Sequence, residues 1–82
     1  MTREEIIKTT NDFLIEEIEV DPAAIRDDAT FKDDLGIDSL DFVDIVVIVE
    51  KKFGFKIKAE EMSGVTTLKG FYDYIDKKVN NQ

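Results

Sequence analysis

The chain has 82 residues, 43% hydrophobic and 37% charged, with a net charge of −8 at pH 7. A chain of this length is expected to form one domain over residues 1–82 and to bury only about 60% of its unfolded surface, too little for a deep catalytic cleft. It has no Cys and no His, so it lacks a disulfide framework, a thiolate nucleophile, an imidazole metal ligand and an ordinary general base near neutral pH.

Thr2-x-x-Glu5 fits a capping box, and Ile6, Ile7, Thr10, Phe13, Leu14 and Ile18 then recur at helical spacing. This predicts a helix to about residue 18. The charges at Arg3, Glu4 and Glu5 stand where a signal peptide needs an apolar stretch. Asp21-Pro22 suits a short helical turn, with Asp as cap and Pro at the first position. Residues 19–38 otherwise read as an irregular loop pinned by Val20, Ile25, Phe31, Leu35 and Ile37. Loops of that length are uncommon in small domains and are often functional.

The next segment is ambiguous. Ile45-Val46-Val47-Ile48-Val49 is β-branched and has the propensity of a buried strand. Its frame favours a helix from Ser39 to Phe53. Asp38-Ser39 offers an N-cap, Asp41 and Asp44 lie in the first turns, Lys51 and Lys52 in the last, and Gly54 just beyond. This apolar run is the longest in the chain and is far short of the roughly 18 residues of a membrane span. A cytoplasmic, monomeric protein is the expectation. Phe55 and Ile57 return to the core, and Glu60-Glu61-Met62 suits one short turn. Thr66-Thr67 caps a last helix with Leu68, Phe71, Tyr72, Ile75 and Val79 on one face. The expected fold is all-α: a small four-helix bundle, three longer helices and one short, with a long loop between the first two.

The charge is concentrated. Asp27, Asp28, Asp33, Asp34, Asp38, Asp41, Asp44 and Glu50 are opposed only by Lys32 within residues 27–50, a net −7, and the remainder carries −1. This segment repels nucleic acid and attracts a basic protein surface; a merely solubilising face is the plainer alternative. Ser39 has no base for nucleophilic hydrolysis and no G-x-S-x-G frame. A calcium loop with Gly36 at its sixth position would place Phe31 where an Asp is required. Paired carboxylates for glycoside hydrolysis lack a cleft. No catalytic or metal-binding residue is expected, and the chain is not expected to be an enzyme.

The run Asp34-Leu35-Gly36-Ile37-Asp38-Ser39-Leu40-Asp41 resembles the attachment motif of acyl carrier proteins, D-L-G-x-D-S-L-[DE]. The Thr30-Phe31 pair, the acidic helix, Phe53, Ile57 and the final Thr-Thr-Leu helix with Tyr74-Ile75 fall at family spacing, so the resemblance covers essentially the whole chain. Taken alone, Asp-Ser-Leu would suggest only an N-cap. The other serine, Ser63, lacks the frame.

The resemblance implies 4′-phosphopantetheine attached covalently to Ser39, and acyl groups carried on it as thioesters in fatty acid or related lipid biosynthesis. The family's transferase supplies the base and magnesium, and the cofactor supplies the thiol. Asp38 would help to orient the transferase's metal, and Gly36 would let the loop turn tightly. Leu35, Ile37 and Leu40 would anchor the motif to the core. The phosphodiester would sit beside free backbone N–H groups of the helix. Asp41, Asp44 and Glu50 would dock on basic patches of acyl-processing enzymes. Lys51 and Lys52 depart from the acidic pattern, and Phe42 is either on the rim or an ordinary core contact. The implied acyl-chain cavity comprises Phe31, Val46, Val49, Ile57, Val65, Phe71 and Ile75. Two other functions remain open: a carrier of another cargo, such as a polyketide or aminoacyl unit, and a cofactor-free acidic interaction module.

Overall fold

The computed structural model describes residues 1–62 and 64–80; Ser63, the comparison serine of the sequence, lies outside them. α1 spans Arg3–Glu16 and opens on the expected capping box. The Thr2 hydroxyl accepts from the Glu5 N–H at 3.1 Å, and the Glu5 carboxylate accepts from the Thr2 N–H at 3.0 Å. The helix stops slightly before the end of its apolar pattern because the chain turns at Glu19, which adopts the left-handed region at φ 65°. The Val20 N–H then returns to the Leu14 carbonyl at 2.8 Å. A 3₁₀ turn follows at Pro22–Ala24, where the Asp21 carboxylate accepts from the Ala23 N–H at 3.0 Å.

α2 spans Ser39–Phe53, so the β-branched run is helical. Both ends specify that outcome: Asp38 caps the start, while Lys51, Lys52 and a left-handed Gly54 at φ 80° close the end. α3 is one turn, Ala59–Met62, and α4 spans Leu68–Asn80. The Thr67 hydroxyl accepts from the Gly70 N–H at 3.3 Å at the start of α4. Among the described residues these are the four α-helices, three long and one short, and the loop between α1 and α2 is the longest connection.

α1 and α4 pack antiparallel. The Met1 amine donates to Asn80 Oδ1 at 3.1 Å, and Arg3 reaches Asp73 at 2.6 Å and Asp76 at 3.2 Å. One face lower, the buried Tyr72 hydroxyl donates to Asn11 Oδ1, and burial pushes its pKa up to about 12. The core is built from Ile6, Phe13 and Leu14 of α1, Ile45 and Val49 of α2, and Leu68, Phe71 and Ile75 of α4.

Thr10 lies on the buried face of α1, and its hydroxyl has no hydrogen-bond partner among the described residues. An unsatisfied buried hydroxyl costs about 1–3 kcal/mol. Thr10→Val keeps the shape and removes the polar group, so it should raise stability by about 1 kcal/mol in urea unfolding. Destabilisation by that variant would show that the hydroxyl is bonded in solution.

Candidate functional site

The site begins in the long loop. Its backbone is hydrogen-bonded to the start of α4: the Ala29 carbonyl accepts from the Leu68 N–H and the Asp27 carbonyl from the Lys69 N–H, each at 2.9 Å. Thr30 and Thr67 form an isolated antiparallel bridge, and the Phe31 N–H donates to the Thr66 carbonyl at 3.3 Å. Within the loop, the Asp34 carboxylate accepts from the Thr30 N–H at 2.9 Å and the Thr30 hydroxyl at 3.2 Å. The Thr30 N–H is the main reason the Asp34 carboxyl lies below the usual aspartate range; burial opposes it, and the Thr30 hydroxyl and Arg26 add to it.

Gly36, at φ 66°, makes the turn that only glycine adopts without strain. After it the Ile37 N–H donates to the Phe31 carbonyl at 2.7 Å, and Leu35 and Ile37 are buried. These contacts deliver the chain to α2. Asp38 is the N-cap: its Oδ1 accepts from the N–H groups of Leu40 at 3.0 Å and Asp41 at 2.9 Å. Ser39 is the first residue of the helix and is exposed. Asp38 therefore performs the capping that would otherwise explain a serine here, and among the described residues the Ser39 hydroxyl has no partner. Two of the backbone N–H groups expected to be free at this terminus are already held by Asp38.

Leu40 corrects the reading that it anchors the motif, because its side chain is 78% exposed. At 3.6 residues per turn it lies opposite Ile45 and Val49, which face the core. It shares the outer face of α2 with Val43 and Val47, which are 61% and 57% exposed. Spacing from Ile45 would have shown this stripe. Asp44 and Glu50 are exposed beside it, and Asp41 is half-buried. Asp44, Lys51, Lys52 and Glu17 surround a second depression over Ile18, Val47 and Ile48, so the signs of charge are mixed at the far end of α2.

An apolar cleft of about 580 Å³ starts at Asp38 and Ser39. Of the residues implied by the resemblance, Phe31, Val46, Ile57 and Val65 line it. Val49, Phe71 and Ile75 do not; they are fully buried in the core behind it. Ile37, Phe42, Val43 and Met62 complete the walls. Val43 stands one helical turn from Ser39, a spacing legible in the sequence. Met62 carries no sequence signal beyond being apolar. Phe42 is half-buried and sits both on the rim and against the core.

Asp34 gives a pH dependence. Its carboxyl is lowered in the folded state, so its contribution to stability is present above the ordinary aspartate value and lost as pH falls through the lowered one. Asp34→Asn should therefore flatten the acid limb of a stability-against-pH curve measured by urea unfolding. An unchanged limb would remove Asp34 as a stabilising carboxylate.

Residues 12–75 match the family model described as phosphopantetheine attachment site. The chain is 36% identical to the acyl carrier protein of Thermotoga maritima over 95% of its own length and 96% of that protein. It is 37% identical to the acyl carrier protein of Bdellovibrio bacteriovorus, over 82% and 86% of the two chains. It is 35% identical to that of Rubrobacter xylanophilus, over 92% and 93%. With its helical fold and an exposed serine opening α2, the chain belongs to the acyl carrier protein family, whose cofactor is covalently attached 4′-phosphopantetheine.

Proposed function

We propose that Ser39 bears the 4′-phosphopantetheine arm and that the protein carries acyl groups as thioesters in fatty acid or related lipid biosynthesis, as a cytoplasmic carrier without catalytic activity of its own. The observation that supports this reading is the exposed Ser39 hydroxyl, without a partner among the described residues, at the edge of the apolar cleft. The residues present fit the group: a spare hydroxyl for a phosphodiester, and apolar walls beside it for cargo. When attached, the arm supplies the thiol that this chain lacks.

The residues around the serine have separable roles. Asp38 holds the Leu40 and Asp41 N–H groups, so the helix start stays capped whether or not Ser39 is modified. With those donors occupied, Asp38 also leaves the arm's phosphate with fewer backbone anchors. Asp38 directly precedes Ser39 in the chain and would help a transferase orient its metal ion. Gly36 and Ile37 hold the approach to the serine, and Ile37, Val43 and Val46 give the cleft its apolar wall. Leu40, Val43 and Val47 form an apolar strip on the outer face of α2, and Asp44 and Glu50 flank it. Acyl-processing enzymes with basic patches are the partners this face suits, apolar contact supplying affinity and charge supplying the approach.

Co-expression with a phosphopantetheinyl transferase should add the mass of one phosphopantetheine group, read by intact-mass spectrometry. Ser39→Ala should abolish the gain. Since Asp38 is the cap, this variant should change stability by no more than about 0.5 kcal/mol. A wild-type chain that stays unmodified with a competent transferase would sink the reading.

Charge reversal tests the docking face. Asp44→Lys should lower the association rate of the phosphopantetheine form with a basic-patch partner by about 10-fold, with smaller loss at Glu50→Lys. The difference should shrink in moderate salt, where screening acts over about 10 Å. Rates indifferent to both charge and salt would exclude electrostatic steering by α2.

A further inference from the structure

The sign of charge changes along α2. Residues 51–58 hold Lys51, Lys52, Lys56 and Lys58 and no acidic residue, directly after the acidic stretch that ends at Glu50. Lys51 and Lys52 lie in the last turn of α2, where cations suit the helix dipole. Lys56 and Lys58 lie beyond the helix, so the dipole does not account for them. All four are exposed. Among the described residues, no carboxylate forms an ion pair with Lys51, Lys52 or Lys56.

Lys51 and Lys52 also line the second depression, of about 420 Å³, which α2 forms with the end of α1. Glu17 and Asp44 line it too, so it holds two charges of each sign, yet no ion pair closes between them. Asp44 and Lys51 are two turns apart and share one face of α2, about 10 Å apart along the axis. Between them lies Val47, mostly exposed, with the half-buried Ile18 and Ile48 beside it. Opposite charges that line one depression without pairing offer a visitor a seat for a cation, a seat for an anion and apolar contact between the two.

Charge selects the visitor. A second copy of this chain and an anionic lipid surface are both repelled by a net charge of −8. A protein surface that is basic throughout is drawn to Asp44 but meets like charge at Lys51 and Lys52, and like charges set against each other suppress a partner. A basic surface with one carboxylate about two turns from its cation satisfies both ends. We propose that this depression is an interaction surface for a protein partner whose docking helix presents a Lys or Arg to Asp44 and an Asp or Glu to Lys51 and Lys52, and that the two lysines turn away partners basic throughout. The inference rests on the reading of α2 as the docking face and names the class of partner that this face selects.

The test titrates the isotope-labelled full chain with two helical peptides of identical composition, followed by NMR. Each is basic overall and carries one Glu. In the first peptide the Glu lies two turns from an Arg on the same face; in the second it lies on the opposite face. Equal composition keeps the general attraction of a cation to this acidic chain the same for both. The first peptide should bind about threefold more tightly at low salt and should shift the amide signals of residues 17–18 and 44–52. Lys51→Gln with Lys52→Gln should abolish the preference, and Lys51→Glu with Lys52→Glu should reverse it. The glutamine variant decides the question if the glutamate variant does not fold. Equal affinities in the wild type, or a preference that survives the glutamine variant, overturns the surface and leaves the carrier reading, which turns on modification of Ser39, intact. Self-association of the chain that the glutamine variant loses would make a second copy the occupant, and binding to phosphatidylglycerol vesicles lost in the same variant would make it a lipid; either overturns the proposal. Discrimination between the peptides by a chain whose Ser39 cannot be modified supports the surface while the carrier reading falls.

Discussion

The backbone hydrogen bonds between residues 27–31 and the start of α4 are the constraint on which the site depends. The first N–H groups of any helix have no partner within it. Here the carbonyls of Asp27 and Ala29 accept from two of them, and the Thr66 carbonyl accepts from Phe31 in return. Each such bond is worth about 0.5–1.5 kcal/mol net, but leaving a buried group unpaired costs more, so the set is stronger than its members suggest. Through it the loop stops being a free connection. Phe31 is fixed against the core, its carbonyl holds Ile37, and Ile37 leads into the cap of α2. The relation of Ser39 to the cleft is thus specified mostly by main-chain groups.

Electrostatics pull against that order. Residues 27–50 carry seven net negative charges, and among the described residues Arg26 alone pairs with them, reaching Asp28 at 3.1 Å and Asp34 at 3.6 Å. Exposed pairs of this kind contribute little. Among the described residues, no three acidic, His or Cys side chains come together to hold a metal ion. What the arrangement provides is a field: strongly negative around the start of α2, and reversed from its last turn onward by Lys51, Lys52, Lys56 and Lys58. A partner approaching the serine meets one sign of charge, and one approaching the far end meets the other.

Much of this was legible in the sequence because local signals agreed. Thr2 with Glu5, Asp21 with Pro22, Asp38 with Gly54, and Thr67 each marked an end that the structure places within a residue or two. The β-branched centre of α2 was the one conflict, and end effects and burial of Ile45 and Val49 outweighed propensity. What the sequence hid was depth. Val49, Phe71 and Ile75 share apolar character with Val46 and Val65, and only packing separates the core from the cleft. Leu40 was misplaced because its motif neighbours Leu35 and Ile37 are buried. The chain changes from loop to helix between them, and with it the direction each successive side chain takes.

α3 has a kinetic consequence. A single turn of helix cannot persist by its own hydrogen bonds, because nucleation costs more than so few bonds return. It is held by tertiary ties to α4: the Tyr74 hydroxyl donates to Glu61 at 2.9 Å and Lys78 pairs with Glu61 at 2.9 Å. Both lie near the surface, where such ties are weak. Yet α3 supplies Met62 to the cleft wall, to which α2 contributes Phe42, Val43 and Val46. The cleft therefore has one side on a long helix and one on a single turn anchored chiefly by the packing of Met62, which is buried in the core. With so few hydrogen bonds of its own, the turn depends on that packing, so its amides should exchange before those of α1, α2 and α4.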